Sequence, residues 1–465
     1  MFEKLNTVKI EAWLGQQTDP ISFAKVVNSA SWDDASADIE FYAVFLNYRN
    51  HKPVCQRVLI CTACDDKTFE SAIEDTTEQM ANGAVAFTQY AKVANTLAGA
   101  DFDLAKPIAL NSVAIKKPWG QEIWFTGVEK RGVSTLTSSN GISVLLPLLS
   151  ELLPNTLLAQ SHGELILLKI LDPLPSPVMG DLYFELHQKK QEVYVVTHVD
   201  AKAWPAGMGG IRYGFDQTVV ASFSDEKQFR EAYLAAVEAY EQVRRQLDDV
   251  IDVKRQQFNY APDARIANDI FDSWLQTFDP SLVAAERQLR NAMERFIAIK
   301  PLRVGDVVKV PLYTPHSLQH GVRTIEFQTP VYERMILSFA QKVLTQSHWD
   351  TKQAVDLMDL SEPEELPFER LAGNEGAVVE RIVDFDDFEV RRAVIAPGHD
   401  FVHKLNSRYW LVVGVNGRLL IDDSMLVNES AILLPRVLNS VCFCNYGITK
   451  ATLLLATPKV TEDSC

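Results

Sequence analysis

The chain has 465 residues, 47% of them apolar and 23% charged, which is the composition of an ordinary folded protein of about three domains. A formal charge of −16 argues against nucleic acid and anionic membranes as main partners, so an anionic substrate would need a local cluster of Lys and Arg. There is no run of ~18 apolar residues to span a membrane and the opening Met1-Phe2-Glu3-Lys4-Leu5-Asn6 is not a secretory signal. Six cysteines make no disulfide framework at this length, and a reducing cytoplasm is the expected compartment.

In chain order, 37–50 and 53–62 read as two strands joined across Arg49-Asn50-His51-Lys52. Residues 66–97 read as one or two helices, with Phe69, Ile73, Met80, Val85, Tyr90 and Val93 at roughly helical spacing. Residues 1–110 therefore form a small α+β module, whose role the sequence does not assign. Cys61-x-x-Cys64 has no second CxxC to complete a zinc site and reads as packing.

The stretch from Tyr183 to Val196 first alternates and then runs apolar, which predicts a strand, a polar turn and a second strand. Residues two apart on a strand share a face, so Glu185 and His187 point the same way, and the turn returns Glu192 beside them. Far downstream, Gly305 to His316 supplies a strand closed by Pro311 and then His316. Two carboxylates and two imidazoles are a reasonable ligand set for a divalent metal. Gly207-Met208-Gly209-Gly210 lacks the flanking strand and helix of a phosphate cradle and reads as a flexible rim loop. His162, His198 and His348 carry no spaced partner and read as packing or surface residues. His320 is of more interest, lying four residues beyond His316.

From 224 to 299 the pattern is helical. Phe229, Tyr233, Val237, Tyr240, Leu247 and Ile251 form one stripe, and Pro262 and Pro280 each sit where a new helix begins. A helix near 351–358 leads into an acidic linker, Ser361-Glu362-Pro363-Glu364-Glu365-Leu366-Pro367. Short strands then recur at 388–395, 409–415, 431–434 and 451–456, with turns at Pro397-Gly398 and Asn416-Gly417. Cys442-x-Cys444 lies in an apolar strand-like run and is expected to pack in a core.

These motifs resemble, in order, those of the type I phosphomannose isomerases of the cupin superfamily. Lys117-Pro118-Trp119-Gly120 is similar to the family's opening Lys-Pro-Trp-Gly, and Leu168-Lys169-Ile170-Leu171 to the strand that leads to the first ligands. Lys190-Gln191-Glu192 fits the Lys-x-Glu, and Gly305-Asp306…Pro311…Pro315-His316 the Gly-Asp…Pro…Pro-His. The first motif departs from the pattern: Glu185 stands where the family has Gln, and Gln188 where it has Pro. The resemblance covers roughly 111–465. It implies a mainly β fold with α: two cupin (jelly-roll) β-barrels, an inserted helical domain and the N-terminal α+β module. The implied spans are 1–110 for the module, 111–223 with 300–349 for the catalytic barrel, 224–299 for the helical insert, 350–375 for helix and linker, and 376–465 for a second barrel without metal ligands.

The activity implied is interconversion of mannose 6-phosphate and fructose 6-phosphate through an enediol, with a divalent metal, zinc, held by Glu185, His187, Glu192 and His316. Arg334, Glu326 and Lys190 are the implied catalytic candidates, and Lys342 and Tyr313 those for substrate. An extra carboxylate at the metal makes it less electrophilic, which leaves two other readings open. One is a cupin that binds a sugar without turning it over, and the other a cupin isomerase for a different sugar. A sugar phosphate is the expected small-molecule partner, and self-association is open.

Overall fold

The computed structural model describes residues 3–29, 38–49, 53–74, 83–158, 165–261, 264, 266–422 and 424–459. Met80, His162, Pro262 and the turn at 50–52 lie outside these. The chain divides into two compact units: Met1–Val113, Trp124–Leu168 and Phe368–Cys465 form one, and Ala114–Ile123 with Lys169–Pro367 the other. No helix among the described residues is long and apolar enough to cross a membrane.

The first unit begins with a five-stranded sheet, Glu3–Asn6, Ile21–Asn28, Ile39–Arg49, Pro53–Cys61 and Ala100–Asp103 in that order. The helices Asp66–Glu74 and Gly83–Leu97 supply Phe69, Ile73, Tyr90 and Val93 to a core shared with Tyr42, Val44, Leu59 and Cys61 of the sheet. A nine-stranded and a four-stranded sheet follow, and their inward residues share one core. Val379, Ala393, Trp410 and Leu453 come from the larger sheet, and Phe401, Ile421, Val441 and Phe443 from the smaller. The sequence pattern ran the first barrel continuously from 111 to 223. In the structure Thr135–Thr137 and Ser143–Leu145 join the nine-stranded sheet, because Thr135–Thr137 pairs with Ile108–Asn111, which in turn pairs with Ala431–Leu434. The segment expected as linker also ends in a strand of that sheet, Glu369–Asn374.

The second unit holds the barrel that positions the site. Its six-stranded sheet runs Val307–Val310, Glu192–Val199, Val322–Gln328, Leu167–Pro173, Gly120–Trp124, Val113–Lys117. Its five-stranded sheet runs Ile297–Leu302, Gly209–Phe215, His316–Leu318, Phe184–Leu186, Met335–Ser338. Leu171, Tyr194, Val196, Ile211, Val308, Leu318 and Ile336 from the two sheets share one core with Trp119. Glu192–Val199 is rich in β-branched residues and is buried over its first five positions, as a strand covered on both faces must be. At Gly120 the backbone has φ +151°, and a Cβ would lie 2.2 Å from the Asp172 carbonyl oxygen, so only glycine fits. Gly209 and Gly210 open a barrel strand instead of forming a loose rim.

The helical insert is an excursion from a hairpin. Gly209–Phe215 and Ile297–Leu302 pair antiparallel, with Phe215 opposite Ile297, and the helices lie between them in sequence. The 32-residue helix Glu226–Gln257 is capped by Asp225, whose side chain accepts the Gln228 N–H. Pro280–Glu294 opens with Pro at its first position and Asp279 as cap. The stripe Phe229, Tyr233, Val237 and Tyr240 packs with Phe184, Phe215, Met335 and Leu337 of the five-stranded sheet.

Candidate metal centre

The register of the five-stranded sheet sets Glu185 directly opposite His316, with Tyr213 on the other side of His316. His187 follows the strand Phe184–Leu186, and the Tyr313 N–H donates to its carbonyl oxygen at 2.7 Å, tying the two motifs together. Tyr313 does this at φ +63°, a conformation that costs a non-glycine residue on the order of 1–3 kcal/mol and clusters at functional sites. The turn after His187 is held by Glu333, whose Oε2 accepts the N–H groups of Gln188 (2.9 Å) and Lys189 (3.1 Å).

One donor atom each of Glu185, His187 and His316 lie within 4.8 Å of one another. Glu192 reaches in from the six-stranded sheet, with Oε2 3.1 Å from His316 Nε2 and Oε1 3.5 Å from His187 Nε2. Glu185, His187 and His316 therefore form the mutually close group, and Glu192 borders its two imidazoles. His316 Nδ1 lies 3.1 Å from the Thr314 carbonyl oxygen, which fixes the ring with Nε2 toward the cluster. Both ring nitrogens of His187 and Oε2 of Glu185 are buried without a hydrogen-bond partner. Leaving such atoms unpaired costs about 1–3 kcal/mol each, a cost that a cation bound by one His187 nitrogen and by Glu185 offsets in part. The donor set of two imidazoles and two carboxylates suits zinc or a similar divalent ion.

Charges around the cluster are arranged in pairs. Lys190 Nζ lies 2.7 Å from Glu192 Oε1, and the Tyr194 hydroxyl donates to Glu192 Oε2. Burial pushes the Glu192 carboxyl up, but Lys190, His187 and His316 outweigh it and hold it well below the usual carboxylate range. Burial, with the Lys190 charge, holds His187 well below its ordinary value, so its ring is neutral, the form that ligates metal. Glu326 is displaced the other way: burial and the Glu192 charge raise it well above the usual range, against Lys169, whose Nζ is 3.3 Å from Oε1. Carboxyls driven apart in this way are the arrangement used for acid–base work. Arg334 Nη1 stands 3.6 Å from Glu185 Oε2, its guanidinium over the Tyr183 ring at 4.6 Å and its Nη2 on the Thr345 hydroxyl at 2.5 Å. Arg334 is therefore at the edge of the cluster, held by stacking as well as charge.

Two other candidates are placed differently. Lys342 pairs with Asp252 of the long helix and lines a cavity with Arg244, Asp248 and Leu344. Local pattern carries no sign of that partner 90 residues upstream. Tyr313 meets the centre through its backbone, and about a third of the residue is exposed. His320 is not in the cluster; it bonds Asp181 at 2.8 Å and stacks on Trp204. Two contributors were not assigned chemistry from the sequence, Lys169 and Tyr194. A lysine inside the apolar run Leu167–Pro173 was the available signal, since a buried ammonium needs a carboxylate. Tyr194 stands two residues from Glu192 and opposite Glu326, on the same face as both.

No family model and no curated protein matches the chain. Among solved structures it is similar to the mannose 6-phosphate isomerase from Bacillus subtilis, with a TM-score of 0.51 and 13% identity over 76% of this chain and 99% of that one. The apo mannose 6-phosphate isomerase from Salmonella typhimurium aligns with a TM-score of 0.52 and 12% identity over 77% of this chain and 100% of that one. A zinc-bound mannose 6-phosphate isomerase aligns with a TM-score of 0.50 and 13% identity, again over 77% and 100%. Over about three quarters of its length the chain has the fold of these mannose 6-phosphate isomerases.

Proposed function

We propose that this protein is a metal-dependent aldose–ketose isomerase acting on a sugar phosphate, with mannose 6-phosphate and fructose 6-phosphate as the pair interconverted. The observation that carries the reading is the meeting of Glu185, His187 and His316 donor atoms within 4.8 Å inside the barrel, with Arg334 at its edge. Solved structures of the same fold are mannose 6-phosphate isomerases, one of them zinc-bound.

Moving a proton between neighbouring carbons builds negative charge on oxygen, and stabilising that charge is the main task. A divalent cation held by Glu185, His187, Glu192 and His316 would supply Lewis acidity there. Lys190 neutralises Glu192 and keeps that carboxylate ionised and oriented. Arg334 is permanently cationic, and its stack on Tyr183 presents the guanidinium to an enediolate oxygen. Glu326 is the proposed proton carrier, since burial and the neighbouring Glu192 charge raise its proton affinity, with Lys169 opposing them. Lys342 is engaged with Asp252 and is given no part in phosphate binding.

The test is a coupled assay from mannose 6-phosphate, run beside metal analysis of the same protein. Arg334→Ala should lower kcat by about 10²–10³-fold while metal content stays at the wild-type value. Loss of metal in that variant would show that Arg334 supports the ligands instead. A metal-loaded wild type with no turnover would favour the sugar-binding reading, to which the additional carboxylate of Glu185 also points.

A further inference from the structure

Cys442 and Cys444 lie on the strand Ser440–Cys444, between Asp400–Lys404 and Leu419–Ile421. The sequence pattern predicted core packing for both. The structure buries Val441 and Phe443 and turns the two cysteines to the outer face, where they are half-buried. Strand alternation is the reason. Their Sγ atoms are 3.5 Å apart, and Asp400 Oδ2 is 3.6 Å from Cys442 Sγ.

A disulfide is a poor outcome for this pair. Residues two apart on one face have Cα atoms about 6.6 Å apart, twice the strand rise and at the outer end of the roughly 4.4–6.8 Å that disulfides span. Closing it would break a strand that is paired on both sides. One bridging cation is different. Zinc–thiolate bonds of about 2.3 Å at the tetrahedral angle hold two sulfurs about 3.75 Å apart, and a carboxylate bond of about 2.1 Å puts its oxygen about 3.6 Å from each sulfur. Both spacings at Cys442 are close to these values. Asp400 is exposed and directly across the ladder from Cys444, and a cation held by all three donors requires its side chain to turn toward the second sulfur.

We propose that Cys442, Cys444 and Asp400 form a surface site for one thiophilic divalent d10 cation, separate from the centre in the other unit. The remaining coordination position is open to water or an outside donor. Burial, the Cys444 sulfur and the Asp400 carboxylate push the Cys442 thiol up to about 12. Cys442 is therefore protonated at neutral pH and a weak nucleophile, so a bound cation must displace its proton. Binding displaces the thiol protons and forms two metal–sulfur bonds, with no change in oxidation state.

The test uses the full chain, stripped of metal, titrated with Cd²⁺ and followed by the ultraviolet sulfur-to-cadmium charge-transfer band. Glu185, His187, Glu192 and His316 offer no sulfur and stay silent. The other paired thiols, Cys61 and Cys64, are disarmed by a Cys64→Ser background. That background should show a band that saturates by two equivalents of Cd²⁺ per chain, one of them taken silently by the barrel centre. The band should vanish on adding either Cys442→Ser or Cys444→Ser, and adding Asp400→Asn should raise the apparent Kd about tenfold. Circular dichroism confirms that each variant is folded. A band that survives in a folded Cys442→Ser or Cys444→Ser protein, or no band in the background itself, overturns the proposal.

Discussion

Glu192 and Lys190 offer a quantitative test of the centre without any substrate. The Glu192 carboxylate is 2% exposed and Lys190 is 7% exposed, with 2.7 Å between Nζ and Oε1. Removing one member of such a pair leaves the other charge buried and uncompensated, which costs about 3–5 kcal/mol. Glu192→Gln preserves the shape and deletes the charge; Lys190→Met does the same for its partner. Each single variant should lose about 3–5 kcal/mol in the metal-free protein. For a unit of roughly 200 residues this lowers Tm by about 6–20 °C. The double variant buries neither charge, and its loss should fall short of the summed losses by at least about 2 kcal/mol. Glu192 also meets His316 and Tyr194, so its single variant should be the worse of the two. Calorimetry and urea melts of the four proteins, stripped of metal, measure this. Additivity to within about 0.5 kcal/mol would refute the pairing, and with it the account of how Glu192 stays ionised in a buried barrel.

His403 makes a prediction for acid stability. It is 3% exposed, set edge-on to Trp410 at 4.3 Å, and burial with the Arg391 charge depresses it from 6.5 to about 3. Between these two values the unfolded chain binds a proton that the folded chain refuses, so stability falls as pH drops from about 6.5 toward 3. The loss from this group is about 2–3 kcal/mol by pH 4.5, and His403→Leu should remove that share; equal acid losses in urea melts of both proteins would contradict it. Glu185→Gln replaces one charged ligand candidate by a neutral one beside Arg334. Metal affinity in a chelator competition should fall about tenfold, near 1.4 kcal/mol, with turnover per bound metal rising; unchanged affinity would remove Glu185 from the ligand set.

Local periodicity was enough to place the strands that carry the centre. The alternation of Tyr183 to His187 and the apolar run after Glu192 became Phe184–Leu186 and Glu192–Val199, and His316 arrived opposite Glu185. The aromatic stripe of the insert became the buried face of Glu226–Gln257 because 3.6-residue spacing is a strong local signal. Contacts between distant segments left no such trace. Thr135–Thr137 found its sheet through Ile108–Asn111, and the choice of partner rests on tertiary packing alone. Lys342 carries no local sign of Asp252, the distant carboxylate that engages it. Cys442 and Cys444 shared an apolar run with core residues, but a period of two sent them outward while Phe443 went in.

The helices between Gly209–Phe215 and Ile297–Leu302 leave the barrel and rejoin it on adjacent strands, at Phe215 and Ile297. A detour that starts and finishes at one place imposes no length on the path between. Its size is thus free to drift over evolutionary time without disturbing barrel closure. Its apolar stripe has no such freedom, because Phe229 and Tyr233 roof the back of Phe184 and Leu337. The strand bearing Glu185 is consequently backed by helix on the far side, which restrains that ligand where an open sheet would let it breathe.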